Sequence, residues 1–269
     1  MGSTAIWLPQ PRFRYTARVT AKADLDVLWE NADYVAVLKP AGLATIPGRA
    51  EDDSVLERLG RQLGLPSSGS ADPRVRVVHR LDKETSGVLL FAKNSAAQRH
   101  VSSQFQKNLV EKEYLAVIAG RPATDQREID APLSRHPTNP VKMSVAKHGG
   151  RPARTLWKTE ESFRLYTLLR VFPKTGKTHQ IRVHLKHIGL PLAIDPLYNP
   201  GGPGKILLSS FKRGYRPGSD ATERPLIERL TLHAHRLTFR DRGEQVVQLE
   251  ASPPKDLRSL LNMLRKYGR

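Results

Sequence analysis

The sequence predicts an α+β domain, and two observations carry that expectation. Strand-type and helix-type runs follow one another without regular alternation, which argues against a doubly wound parallel sheet. Several strand-type runs also come in neighbouring pairs joined by short polar turns, the pattern of hairpins. With 269 residues, 39% of them hydrophobic, the chain is long enough for one large or two small domains with a real core.

The elements are expected in this order. Residues 1–24 are a short polar extension with β-type pieces such as Tyr15 to Thr20, and residues 25–269 form the main domain. Val27 to Lys39 reads as a strand, a turn at Asn31-Ala32-Asp33 and a strand Tyr34 to Leu38, broken by Lys39-Pro40-Ala41-Gly42. Ser54 and Glu57 have capping-box spacing ahead of Leu56, Leu59 and Leu63, so a short helix follows. Gly64 to Pro73 is loop by composition. Ser95 caps a second helix with Ala97, Val101 and Phe105 on one face. Glu113 to Ile118 is a strand closed by Gly120, and Ala131 to Ala153 an exposed basic arm. Thr155 to Lys158 and Phe163 to Val171 are strands. Thr178 caps a helix running through His187, with Ile181, Leu185 and Ile188 on one side and Gly189 at its end. Asn199 to Pro225 is a long loop. Leu232 to Phe239 and Gln245 to Leu249 form a hairpin around Asp241-Arg242-Gly243. Leu257, Leu260, Leu261 and Leu264 mark a final amphipathic helix.

Composition narrows the function. There are 44 Lys and Arg against 26 Asp and Glu, a formal net charge of +18. A field that positive concentrates polyanions. Between Ala131 and Ile194 stand twelve Lys or Arg and only two acids, Glu160 and Glu161. No long basic amphipathic helix offers a Trp or Phe face, so nucleic acid is favoured over a membrane surface. The absence of cysteine excludes disulfides, thiolate nucleophiles and Cys-ligated zinc. No apolar run is of membrane-spanning length, Met1–Gln10 is not built like a secretory signal, and a cytoplasmic protein is expected.

The chain is organised around Val77 to Leu90. Two apolar β-type runs flank a loop in which Asp82 follows Arg80, with Thr85 and Ser86 placed to tie the loop to its own backbone. Gly87 admits a backbone conformation closed to other residues. Such a loop can hold one carboxylate in a fixed place, although a charged hairpin turn with no function has the same pattern. Other constellations are weaker. Thr175-Gly176-Lys177-Thr178 ends like a phosphate loop, but Val171 stands where its leading Gly belongs. His179, His184, His187, His233 and His235 meet no metal-site spacing, and structural hydrogen bonding is the expected role for most of them. Arg182, early in its helix, can pair with a carboxylate from another segment. Tyr114 lies in a strand, where core packing and stacking on an unpaired base are both open.

Three stretches together resemble the RluA-type pseudouridine synthases. They are His79-Arg80-Leu81-Asp82 with Thr85-Ser86-Gly87, then Lys112-Glu113-Tyr114-Leu115-Ala116-Val117, then Gly176 to Leu185. Leu38 to Leu43, Gly189-Leu190-Pro191 and Leu232-His233-Ala234 are similar to further signposts of that family. The resemblance implies a mixed, mostly antiparallel central sheet with flanking helices and loops and a cleft across it. It implies isomerisation of uridine in ribosomal or transfer RNA, with no cofactor and no metal. Asp82 matches the catalytic Asp, Tyr114 the active-site Tyr, and Arg182 the Arg that pairs with the Asp. Tyr114 would stack on the base and help remove the C5 proton. Arg80 would help displace the base, and Lys142, Lys147, Arg151, Lys177 and His179 are the further expected RNA contacts. Lys177 and the Ala193-Ile194-Asp195 run depart from the usual pattern, which puts rim contacts in doubt. A monomer without an S4 RNA-binding domain is expected. The rival readings are an RNA-binding assembly factor on the same fold, without turnover, and a metallohydrolase using the histidines. A complete Asp82, Tyr114 and Arg182 set is more than a pure binder requires.

Overall fold

A computed structural model describes residues 24–48, 53–67, 69–215 and 223–269. The β-type piece expected at Tyr15 to Thr20, most of the 1–24 extension and part of the Asn199–Pro225 loop lie outside the described residues.

Alternating apolar residues give β1 (Asp26–Glu30) and β2 (Tyr34–Lys39), joined by a turn in which the Asn31 side chain accepts from the backbone N–H groups of Asp33 and Tyr34. The next helix, α1 (Val55–Leu63), starts at Ser54, whose hydroxyl accepts from Glu57 N–H, as its capping-box spacing predicts. Short β3 (Arg76–Val77) and long β4 (Ser86–Ala92) are the two sides of the central motif and pair antiparallel. The helix α2 (Ser95–Gln106) is capped by Asn94 and not by Ser95. Asn94 Nδ2 is anchored on Asp33 (2.8 Å), which turns its oxygen to Ala97 N–H. Then come β5 (Glu111–Ala119) and β6 (Gln126–Asp130).

The expected basic arm is in fact a hairpin, β7 (Leu133–Arg135) with β8 (Met143–Val145). Leu133 and Ala153 are buried there with Val183 and Tyr198. Long β9 (Arg154–Ser162) and β10 (Tyr166–Pro173) follow, and Phe163 sits buried in the turn between them rather than in a strand. The helix α3 (Gln180–His187) is not capped by Thr178. Gln180 closes its entrance instead, its Oε1 accepting from Lys177 N–H and Thr175 Oγ1–H and its Nε2 donating to Arg154 O and Thr155 Oγ1. The chain ends in β11 (Leu232–Arg240), β12 (Val246–Glu250) and the amphipathic α4 (Lys255–Tyr267).

Ten strands form one sheet in the order β1-β2-β4-β11-β5-β10-β9-β6, with β3 on β4 and β12 on β11. Among the described residues only the β4–β11 pairing is parallel and the other pairings are antiparallel, so the expected mixed, mostly antiparallel sheet is what forms. Its period of two sorts the side chains onto two faces. On one face Val35, Val37, Leu89 and Phe91 pack on α1, while Ala116, Ile118, Leu169 and Val171 pack with Ile181 and Leu185 of α3. On the other face α2 covers Ala36, Leu90 and Leu237, and α4 covers Leu115, Val117 and Leu168. Tyr114 belongs to both the α1 and the α3 cluster. It therefore marks the seam between them, in the middle of the sheet.

Candidate active site

The loop from β3 to β4 is held from below by neighbours rather than by its own hydroxyls. Thr45 Oγ1 donates to Leu81 O (3.0 Å) and accepts from Leu81 N–H (3.2 Å). Lys83 O, one residue past Asp82, accepts from Lys39 Nζ (2.8 Å) and Gly42 N–H (2.9 Å). Lys39 is completely buried, and burial pushes its ammonium down to about 7 against the opposing pull of Glu84 and Asp82. His79 Nε2 accepts from Leu90 N–H (3.0 Å) while its ring stacks on Phe105, so its role is structural. Thr85 and Ser86 do not tie the loop to its backbone through their side chains as expected. Ser86 Oγ instead meets His233 Nδ1 (2.9 Å) and Arg229 Nη1 (3.3 Å) across the sheet.

On this base Asp82 faces α3. Arg182 Nη1 donates to Asp82 Oδ2 at 3.1 Å, across 100 residues of sequence. The other edge of the same guanidinium is taken by Asp195, with Nε and Nη2 each 2.8 Å from a carboxylate oxygen. Burial disfavours the Arg182 charge, but Asp195 and then Asp82 outweigh it and raise the group further above its ordinary value. Asp195 itself is fixed by Leu197 and Tyr198 N–H groups, each 3.0 Å from Oδ1. The Tyr198 ring lies 5.0 Å from the guanidinium.

His179 enters from the α3 terminus. Its φ of 54° is a left-handed conformation, which turns its side chain into the site. Nδ1 meets Tyr198 Oη at 2.8 Å and Nε2 stands 3.8 Å from Asp82 Oδ2. Tyr198 Oη also accepts from Met143 N–H (2.8 Å), so it ties the β8 backbone to His179. Burial lowers this imidazole below its ordinary value, with Asp82 pulling it up and Arg182 pushing it down. Both approaches to Asp82 fall on Oδ2; among the described residues no donor reaches Oδ1.

Tyr114 is half-buried on β5. Burial, with the nearby Asp82 charge, raises its phenol far above the ordinary value. It is thus held as the neutral phenol. Arg80 is exposed beside the loop and close enough to depress His179. Lys177 and Lys142 are half-buried, and Lys147 and Arg151 exposed; none of the four contacts Asp82 or Arg182. Four of the five histidines, His179, His184, His233 and His235, have protein partners, as His184 has in Thr155 Oγ1 and Ala131 O, and His187 is exposed.

The family described as RNA pseudouridylate synthase matches residues 33–187, more than half of the chain and the whole Asp82–Arg182 arrangement. The chain belongs to the RNA pseudouridylate synthase family. Among its relatives, a ribosomal large subunit pseudouridine synthase D of Nitrosomonas europaea is 37% identical over 90% of this chain and 65% of that protein. One of Xanthomonas campestris pv. campestris is 36% identical over 90% of this chain and 70% of that protein. One of Escherichia coli K12 is 36% identical over 74% of this chain and 61% of that protein. The chain thus spans 61% to 70% of the length of these relatives. Among solved structures, human RNA pseudouridylate synthase domain containing 4 superposes with a TM-score of 0.67 at 26% identity, covering 89% of this chain and 93% of that one. Human RNA pseudouridylate synthase domain containing 1 shares the fold, with a TM-score of 0.65 over 94% and 99% of the two chains.

In this pseudouridylate synthase family member the sequence motifs point to Asp82 and Arg182, which the structure brings together, and to Tyr114, but not to two neighbours of that pair. Asp195, noted only as part of the Ala193-Ile194-Asp195 run and given no role, is almost wholly buried and holds Arg182. Tyr198 was not singled out. The available signal was Asp195-Pro196-Leu197-Tyr198, a turn opened by a side chain that accepts backbone N–H groups two and three residues on.

Proposed function

We propose that the chain isomerises uridine to pseudouridine in RNA, with large-subunit ribosomal RNA as the substrate class. The carrying observation is Asp82, held on a braced loop and addressed on one oxygen only by the buried Arg182. The reaction breaks N1–C1′, turns the base and forms C5–C1′; C5 loses a proton and N1 gains one. The same atoms are kept, so neither a group donor nor an electron acceptor is consumed. Asp82 Oδ1, free of donors, is the oxygen that acts on the nucleoside. Arg182 holds Oδ2 and orients the carboxylate, with His179 Nε2 standing 3.8 Å from the same oxygen. Tyr114, at the seam of the sheet, offers the flipped base a stacking face. Arg80 stands at the mouth of the site, placed to fill the gap left by the base. Lys142, Lys147, Arg151 and Lys177 hold phosphates. Ribosomal rather than transfer RNA is favoured by the names of the relatives.

The test is release of tritium to water from RNA labelled at uridine C5, for wild type beside Asp82→Asn. Release by the wild type alone is expected. Release by both proteins would move the chemistry away from Asp82, and release by neither from large-subunit ribosomal RNA would leave RNA binding without turnover.

A further inference from the structure

A pocket of about 290 Å³ opens between the β7–β8 hairpin and α3. Met143, Val145, Val183 and Tyr198 give it an apolar and aromatic wall, and His136, Lys142, Lys186 and His187 a basic one; no acid lines it. We propose that it is a subsite for one unpaired nucleotide of the substrate RNA, adjacent in the strand to the target uridine. The proposal rests on the RNA function argued above and adds a second point of recognition to it.

Three observations support a nucleotide as the occupant. The lining pairs two chemistries that a nucleotide itself joins: cations for a phosphate, and apolar side chains, Met143 and Val145, for a base. The volume is of the order of one small ligand and far below what a folded segment needs. Tyr198 is shared between this pocket and the Asp82 site. Its hydroxyl accepts from Met143 N–H (2.8 Å) at the pocket wall and meets His179 (2.8 Å) on the other side. Its ring lies against Arg182. Between a nucleotide seated here and Asp82 stand Tyr198 and the His179 and Arg182 side chains that it touches, a span that neighbouring residues of a splayed strand can bridge. The hairpin turn that a basic-arm reading would treat as a phosphate track thus forms one wall of a defined cavity.

The experiment titrates the ¹⁵N-labelled full chain with the four 5′-mononucleotides, their nucleosides and inorganic phosphate, following the amides of Met143, Ser144 and Val183. A 5′-mononucleotide is expected to move all three amides. A nucleoside or phosphate alone is expected to bind several-fold more weakly. Lys186→Ala, at an exposed position, weakens the nucleotide several-fold, and Ser144→Trp, which fills the cavity from its rim, abolishes the shifts. Three outcomes overturn the subsite: no movement of these amides, phosphate reproducing the full nucleotide pattern, or an oligoglutamate peptide moving them as strongly as a nucleotide. Turnover is not part of this readout. A chain that shows the shifts but releases no tritium keeps the pocket and loses the isomerase reading; the reverse result loses only the pocket.

Discussion

Arg182 gives Asp195 two of its hydrogen bonds and Asp82 one. Asp195 is the more deeply buried of the two carboxylates, with 1% of its side chain exposed against 20% for Asp82. The guanidinium is therefore seated by Asp195 and presented to Asp82. Asp195→Asn keeps the volume and removes the charge that seats it. Breaking one partner of a buried pair costs about 3 kcal/mol, read as a lower urea midpoint. A displaced Arg182 lets Asp82 drift, and turnover at saturating RNA falls about a hundredfold with RNA affinity little changed. Wild-type turnover in the folded variant would show that Asp82 is aimed without Asp195.

His233 makes acid stability a direct readout of the core behind Asp82. It is fully buried, donating from Nε2 to Ala251 O and accepting at Nδ1 from Ser86 Oγ–H. Burial lowers it from 6.5 to about 4, with Ala251 O opposing and His235 and Arg229 adding to the fall. Between those values the unfolded chain binds a proton that the folded chain refuses. Stability from this group is therefore present above pH 6.5 and is lost as the pH falls toward 4. The loss is on the order of 3 kcal/mol, and His79, lowered to about 3 by burial and Lys112, acts in the same direction. Urea unfolding of wild type and His233→Gln at neutral and acid pH checks this. The variant starts less stable but loses less on acidification; parallel losses would remove His233 from the account.

What could be read in the sequence was what a local pattern determines. The strands β2, β4, β5 and β11 announce themselves through β-branched and apolar runs, α1 through Ser54 and its leucine spacing, and α4 through its leucines. Asp82, Tyr114 and Arg182 were legible because each sits in a long motif. The β7–β8 hairpin was not, because Leu133, Met143 and Val145 are separated by Pro, Lys and His, and their burial depends on Val183 and Tyr198. The role of Asp195 was hidden for a similar reason: its partner lies 13 residues away on α3, and no local spacing reveals that contact.

Gly87 makes a sharper test of the central motif than any loop residue. Its φ is 129°, and a Cβ there would stand 2.1 Å from Ala234 O and 2.6 Å from Ala234 N. This is the one place where β4 runs parallel to β11, with Gly87 opposite Ala234. Two backbones meet at a distance that leaves no room for a methyl group. Gly87→Ala must separate β4 from β11, at a cost of about 4 kcal/mol or more, and the expected outcome is loss of the soluble fold. A Gly87→Ala protein with a wild-type urea midpoint would mean that the strands do not approach this closely.

The charge of the 131–194 region needs refining before it is used to predict binding. Of its twelve Lys and Arg, Arg154, Arg170 and Arg182 are committed to ion pairs with Glu128, Asp130, Glu113, Glu160, Asp82 and Asp195. Lys142, Lys147, Arg151 and Lys177 have no such partner among the described residues, so their counterions are free to be released by RNA. Affinity for RNA should fall steeply with salt, and Lys142→Ala or Arg151→Ala should each reduce the log–log slope by about one unit. Arg170→Ala, on the paired side, should leave the slope as it was while costing stability through Glu113 and Glu160. Filter binding across a salt series separates the two groups. A slope lowered equally by Arg170→Ala and Lys142→Ala would show that net charge, and not the unpaired cations of the hairpin, governs the interaction.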